Sequence, residues 1–327
     1  MRGLFDIAID YDATPPDIGH KHIVCHVSGG AASAVVAMRC VEWYGTDRVT
    51  FVNADTGCES EGNYALIDAL ELASGVSIIR LTQGKDIWDV FDEHGVMRMM
   101  SGACKASVEL KQKPLDDFTR ARFSPDEVLV AIGMSWMEPE RQARLTRRLK
   151  PYQTFFPLNA SPRLSECEIV AELARYGLPE SMAYNLGYTH DNCKGGCVLA
   201  GQSQWAGLIG DAPEHFAYCE DRERTFYERT GFTVLKDRRG GELKSYPLFQ
   251  LRADKMAGRK FRNGWRSTCG CMLIGENDGG NADEEETESP QGAQADEGLV
   301  DGSRPRPQVG TGQGNREGRQ AEETPQA

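Results

Sequence analysis

Along its first half the chain alternates two kinds of apolar pattern. "HIVCHV" (residues 22–27) is a short β-branched run of strand length. "AASAVVAMRCVEWYG" (31–45) is longer and helix-like, with its stop near Gly45. "RVTFVNADTG" (48–57) reads as a second strand that leads into a loop. "NYALIDALELASG" (63–75) has helical spacing, with Leu66, Ala69, Leu70 and Ala73 on one side and Gly75 as the stop. "VSIIRLT" (76–82) predicts a third strand, "IWDVFDEHG" (87–95) a short helix, and "DEVLVAIGM" a fourth strand over 128–134. Strands alternating with helices predict an α/β fold: a Rossmann-like, open, mostly parallel sheet with helices on both faces.

From Pro151 the character changes. "LSECEIVAELARYGLP" (164–179) is a helix with a readable start, Ser165 as cap and Glu168 three residues on, then Ile169, Val170 and Leu173, and a Gly-Leu-Pro stop. Beyond it lie Cys-rich loops, a helix start at "GQSQW" (201–205) and an aromatic-containing segment to Ile274. No internal repeat is visible. The reading divides the chain into an N-terminal extension (1–20), a nucleotide-binding α/β domain (21–192), a Cys-rich region packed on the same domain (193–274) and a tail (275–327).

Charge separates the tail from the rest. Residues 276–327 hold 13 acidic and 4 basic side chains, a net of −9, which leaves −3 of the chain's −12 for everything before them. This segment has no aromatic residue and no Cys, so it has too little apolar surface to offset the entropy of ordering it, and it reads as disordered. A near-neutral remainder does not announce a nucleic-acid binder. No apolar run approaches the roughly 18 residues of a membrane span, and the first residues lack the pattern of a secretion signal. A soluble cytoplasmic protein is the expectation. All ten cysteines precede the tail, and in a reducing compartment clustered ones favour metal or redox chemistry over disulfides. Cys25, Cys40, Cys58, Cys167 and Cys219 stand singly and read as small core fillers.

The first strand-to-helix junction, "SGGAAS" (28–33), has the make-up of a phosphate cradle. Gly29 and Gly30 let the backbone turn tightly beside a ligand. The helix start presents unpaired N–H groups and the positive end of its dipole, and Ser28 and Ser33 add hydroxyls. Neither the dinucleotide fingerprint nor the Walker pattern is present. The second strand ends at Asp55, Thr56, Gly57 and Glu59, and the fourth at Gly133, Glu138 and Arg141. Such strand ends form the carboxyl edge, where open α/β sheets bind ligands.

Seven stretches, "SGGAAS", "NADTGCES", "CKASVELKQKPL", "IGMSWMEPERQARL", "FFPLN", "YGLPESMAYNLGY" and "CKGGC", come in an order that resembles the phosphoadenosine-phosphosulfate (PAPS) reductase family. That family belongs to the PP-loop, adenine nucleotide α-hydrolase-like superfamily. The resemblance covers residues 21–197. It implies an adenine nucleotide (PAPS, adenylyl sulfate or ATP) with its phosphates on Ser28–Ser33 and its base near residues 52–55. Ala32 stands where the ATP-cleaving branch has an Asp that helps to hold Mg²⁺; Asp55 or Glu59 are the candidate replacements. Lys111 and Lys113, before Pro114, resemble the family's basic segment over the anionic group. Arg141 resembles its oxyanion-binding Arg, as a guanidinium donates two parallel hydrogen bonds.

Five cysteines form a second constellation: Cys104, Cys193 and Cys197, Cys269 and Cys271. Their flanking glycines permit tight loops that let thiolates converge on a metal. Zinc in a closed tetrahedral site and a 4Fe–4S cluster both take four thiolates, and spacing does not choose between them. The resemblance favours the cluster, with Cys104 in the family's first Cys segment and Cys193 and Cys197 in its later pair. Cys269 or Cys271 then supplies the missing ligand, and the other is a spare thiol for sulfur chemistry. Alternatively both bind metal and Cys104 does not. His26 and His190 read as hydrogen-bonded structural residues, and Trp136, Trp205 and Trp265 as packing.

The resemblance thus implies an enzyme of sulfur chemistry, either an oxidoreductase or a sulfurtransferase. In one form a thiolate attacks the sulfur of an adenylyl sulfate, and thioredoxin or glutaredoxin then releases sulfite. In the other, ATP adenylates an acceptor, nucleic acid included, and sulfur from a cysteine desulfurase displaces AMP. Phage and mobile-element members, related to DNA-phosphorothioation proteins, share the Cys arrangement. A second copy of the chain is a further candidate partner. The contrasting readings are a non-catalytic nucleotide-binding module with structural zinc, and a zinc-ribbon nucleic-acid reader.

Overall fold

The computed structural model describes residues 15–180, 188, 191–239 and 241–261. Cys269, Cys271, His190, Trp265, most of the N-terminal extension and the acidic tail lie outside the described residues. Five strands form one parallel sheet: β1 (His22–His26), β2 (Val49–Asp55), β3 (Ile78–Thr82), β4 (Val128–Ile132) and β5 (Gln153–Phe155), in the order β3-β2-β1-β4-β5. Helices flank it, consistent with a Rossmann-like fold. β1 is central, pairing Ile23 with Val49 on one side and with Leu129 on the other. Its apolar run has no polar alternation because both faces are covered. Ile23 and Cys25 pack with α1 (Ala31–Tyr44), α2 (Glu61–Ser74) and α6 (Glu166–Arg175). Val24 packs on the opposite face with Leu115 and Phe118 of α4 (Lys113–Arg122) and Leu145 and Leu149 of α5 (Pro139–Leu149).

Local signals explain several boundaries. Ser60 caps α2 by accepting from the Asn63 N–H at 3.1 Å, and Gly75 ends it in a left-handed conformation. The helix α3 (Ile87–His94) starts with a reciprocal box between Asp86 and Asp89. α6 has the predicted one, Ser165 N donating to Glu168 Oε2 at 2.7 Å while Glu168 N donates to Ser165 Oγ at 3.4 Å. Some expectations shift. β3 begins at Ile78, two residues late, and the buried face of α2 is Asn63, Leu66, Ile67, Leu70 and Ser74, with Ala73 exposed. Cys167 is exposed on α6, not a core filler.

A second apolar cluster joins α3 to the C-terminal elements: α7 (Gln202–Asp211), α8 (Pro213–Thr230), the antiparallel hairpin β6 (Leu235–Asp237) with β7 (Lys244–Tyr246), and α9 (Leu248–Met256). Trp88, Phe91, Trp205, Phe216 and Phe226 fill it. At its centre Glu223, with 0% exposure, accepts the Val234 N–H at 2.7 Å and the Leu248 N–H at 2.5 Å, tying α8 to the hairpin and α9. Among the described residues no helix is long and apolar enough to cross a membrane.

Candidate functional site at the carboxyl edge

The chain leaves β1 toward β2 on one side and reaches β4 on the other. The sheet therefore reverses its winding between β1 and β4, and a crevice opens there at the carboxyl ends of the strands. The predicted loop stands at this point. Gly29 has φ +78°, and a Cβ there would meet Asn63 Cβ at 3.0 Å, so glycine is required by conformation and by contact. Gly30 is the N-cap of α1 in extended backbone, with no side-chain cap and no acidic residue in the first turn. The loop closes on itself: Ser33 Oγ accepts from Ser28 N at 3.1 Å and from Ser28 Oγ at 3.2 Å, and donates to Gly30 O at 2.8 Å. The first turn of α1 carries no carboxylate to compete for its N–H groups, an arrangement suited to an anion.

β4 crosses very close to this turn. A Cβ on Gly133 would lie 2.6 Å from Ser33 N and 2.7 Å from Ser33 Cα. Beyond it Glu138 Oε1 pairs with Arg141 at 2.5 Å and Glu138 Oε2 accepts the Ser135 N–H at 3.1 Å. Gln142 donates to Ser135 O at 2.8 Å and exchanges amide hydrogen bonds with Asn159, both at 2.9 Å. These contacts hold the loop after β4, the start of α5 and the "FFPLN" stretch as one rim. On the β2 side Asp55 accepts from Gly57 N at 2.9 Å and Tyr64 OH at 2.7 Å. Glu59 is 2% exposed and engaged on both oxygens: Lys111 Nζ (2.8 Å) and Thr56 Oγ1 (3.1 Å) meet Oε1, and Asn63 Nδ2 meets Oε2 at 3.2 Å.

Lys111 connects the carboxyl edge to the cysteines. It lies in a π-helical turn, Ser107–Gln112, that runs into α4. Thr56, Ser107 and Lys111 line a cavity of about 20 Å³ together with Cys104, Cys193 and Cys197. Cys104 precedes the turn, where the N–H groups of Ala106 and Ser107 and the charges of Lys111 and Arg98 oppose the effect of burial; burial wins, and the thiol stays above its ordinary pKa. The Cys193–Cys197 loop has a left-handed course, with φ +55° at Cys193, +52° at Lys194 and +82° at Gly195. It is pinned by Gln204 Nε2 to Gly195 O (2.8 Å), Trp205 Nε1 to Cys197 O (3.1 Å) and His215 Nε2 to Cys193 O (3.0 Å). Side chains at Gly195 and Gly196 would strike Tyr188 at 2.8 Å and His215 at 2.9 Å. Asp191 accepts from the Ser60 hydroxyl, which links this loop to the start of α2.

Three of the five cysteines singled out as candidate metal ligands therefore line one cavity beside the carboxyl edge, and Cys269 and Cys271 lie outside the described residues. No three His, Cys, Asp or Glu side chains among the described residues are placed to hold a metal ion. Lys113 is exposed, away from the cavity lining. Cys58 and Cys219 are inert thiols, raised by burial to about 11 and about 12. His26 and Trp136 depart from expectation: His26 has no hydrogen-bond partner on either ring nitrogen among the described residues, and Trp136 is 41% exposed. Arg98, not singled out in the sequence, donates to the carbonyls of Val198 and Val234 and faces Cys104 and Cys197. A lone Arg in "GVMRMM" carries no sequence signal for that role. The sequence matches no protein-family model and no curated protein.

Proposed function

We propose that the chain is an enzyme of sulfur chemistry that binds an adenine nucleotide at the β1–α1 turn and holds an iron–sulfur cluster beside it, in the manner of the PAPS reductases and the adenine nucleotide α-hydrolase-like fold. The observation that carries this reading is the shared cavity: Cys104, Cys193 and Cys197 line it with Thr56 and Lys111 of the nucleotide edge. Thiol chemistry and nucleotide binding then occur at neighbouring positions.

The donor set suits the cluster. Three buried thiols line one space, Arg98 offsets the charge of thiolates, and the flanking glycines allow the loop to close, although no three of these side chains are placed on one metal point. A single zinc needs four ligands at about 2.3 Å from one point, whereas a cluster takes one thiolate on each iron and tolerates wider spacing. Cys104, Cys193, Cys197 and one of Cys269 and Cys271 would hold it, and it would supply redox capacity and a fixed charge beside the reacting sulfur. The turn at Ser28–Ser33 binds phosphate oxygens, Arg141 orients an oxyanion, and the remaining C-terminal thiol takes or delivers sulfur.

Adenylyl sulfate is favoured over ATP as the nucleotide. Ala32 brings no carboxylate to the loop, and Glu59 is already neutralised by Lys111, so the candidate ligands for Mg²⁺ reduce to Asp55. The test is purification without oxygen, followed by absorbance, iron analysis and nucleotide calorimetry. The expected result is a broad band near about 400 nm with about four irons per chain, and binding of adenylyl sulfates that Arg141→Ala weakens. A colourless protein with about one zinc per chain would overturn the redox reading.

A further inference from the structure

We infer that the outer face of α5, with the loops at its first turn, is a binding surface for single-stranded nucleic acid at the rim of the candidate site. The near-neutral charge outside the tail conceals a local excess. Residues 134–165 hold six Arg and Lys against two Glu, a net of +4. Their placement concentrates it further. Leu145 and Leu149 turn into the core, while Arg147 and Lys150 stand exposed on the opposite side, and Arg163 is exposed at the rim. No carboxylate pairs with Arg147, Lys150 or Arg163 among the described residues. Arg141, Arg144 and Arg148 flank these cations, ion-paired with Glu138, Glu140 and Asp116, while each keeps a buried Nε with no acceptor among the described residues. Arg147 and Lys150 stand at the end of the helix, on the order of 20 Å from Trp136 at helical rise, and Arg163 stands beside the ring.

The second observation is aromatic. Trp136 is 41% exposed at the carboxyl edge, and its ring is fixed rather than loose: Nε1 donates to Leu164 O at 3.1 Å, and the Arg163 guanidinium lies 6.0 Å from the ring centroid. Met137 beside it is 44% exposed. An oriented indole with an arginine at its side, and further cations at the far end of the helix, is how sequence-tolerant binders hold unpaired bases: the ring stacks a base and the cations follow the phosphates. A duplex keeps its bases stacked on one another and offers no such partner.

This inference names a macromolecular ligand for the rim of the proposed enzyme, but it stands on charge and aromatic geometry alone. Its test is read without nucleotide, iron or turnover, so its failure and failure of the sulfur reading are distinguishable. The experiment is fluorescence anisotropy of the full chain with a labelled single-stranded oligonucleotide of about 15 residues. We expect binding that weakens with salt. Trp136→Ala should weaken it about ten-fold. The pair Arg147→Glu and Lys150→Glu should weaken it further and make the log–log salt dependence shallower by about one unit. Lys244→Glu, on the exposed hairpin, should leave it unchanged, and all variants should keep the parent's thermal midpoint. Absence of binding at about 50 mM salt would overturn the inference. So would affinity indifferent to Trp136 and the α5 cations, or a duplex bound as tightly as the single strand.

Discussion

His26 closes β1 with both ring nitrogens buried and unpartnered among the described residues, beside the positive charge of Arg148. Burial first, and Arg148 second, push its pKa down to about 3. The sign follows. The unfolded chain takes up a proton below about 6.5 and the folded chain does not until about 3, so this residue lowers stability as the pH falls through that window. Relative to His26→Leu, the parent should lose about 5 kcal/mol of unfolding free energy between those limits. Denaturant titrations of both proteins across the window check it, and parallel profiles would refute it. The sequence places His26 before the turn, but nothing in "HIVCHV" says that its neighbours on that face are Val24, Leu115 and Phe118 rather than hydrogen-bonding groups. Trp136 was illegible for the same reason: whether a Trp packs or projects is decided by partners distant in sequence, here Leu164 and Arg163.

Among the elements, the Cys193–Cys197 loop is the most demanding. Left-handed backbone at two consecutive non-glycine residues is costly, and the pins from Gln204, Trp205 and His215 hold it. Gly195→Ala adds both an unfavourable φ and a contact with Tyr188, and should cost about 1–3 kcal/mol. It should also reduce iron per chain, whereas Gly201→Ala, with open space around it, should change neither. Thermal melts and iron analysis of the two variants decide this. Elements with a strong period were legible. α1, α3 and α6 lie where their apolar stretches predict, and α6 has its predicted cap, because those signals are local. α5 was not read as a helix, because "PERQARLTRRL" buries only Leu145 and Leu149 and so has no apolar stripe to read. β5 has three residues, too few for any period, and the π-helical turn that carries Lys111 has no sequence signature. The loop motifs of the site were visible as types and order; their junction at Lys111 and Thr56 required the fold.

At the scale of the whole molecule the two apolar regions titrate in opposite senses. Glu223, within the C-terminal cluster, is raised to about 7 by burial, against the N–H groups of Leu248 and Val234. Its contribution is fully present below about 4.5 and is lost as the pH rises through about 7, a change of about 3 kcal/mol. His26 acts with the reverse slope from about 6.5 downward. Between about 4.5 and 6.5 the two nearly cancel. Glu223→Gln should therefore steepen the rise of stability with pH in this interval relative to the parent. A level profile in the variant would remove Glu223 from this role.

The close crossing of Gly133 over Ser33 gives the crevice one immovable wall. Its obstacle is backbone on both sides, so no rotamer change relieves an added methyl group, and the spacing between β4 and the head of α1 is set by a missing side chain. A change in the size of any ligand held in the crevice must then be absorbed on the other wall, at Asp55, Gly57 and Tyr64, where side chains and a left-handed glycine form the boundary. If the proposed nucleotide binds here, variation that retunes selectivity belongs after β2, while Gly133 itself admits no side chain.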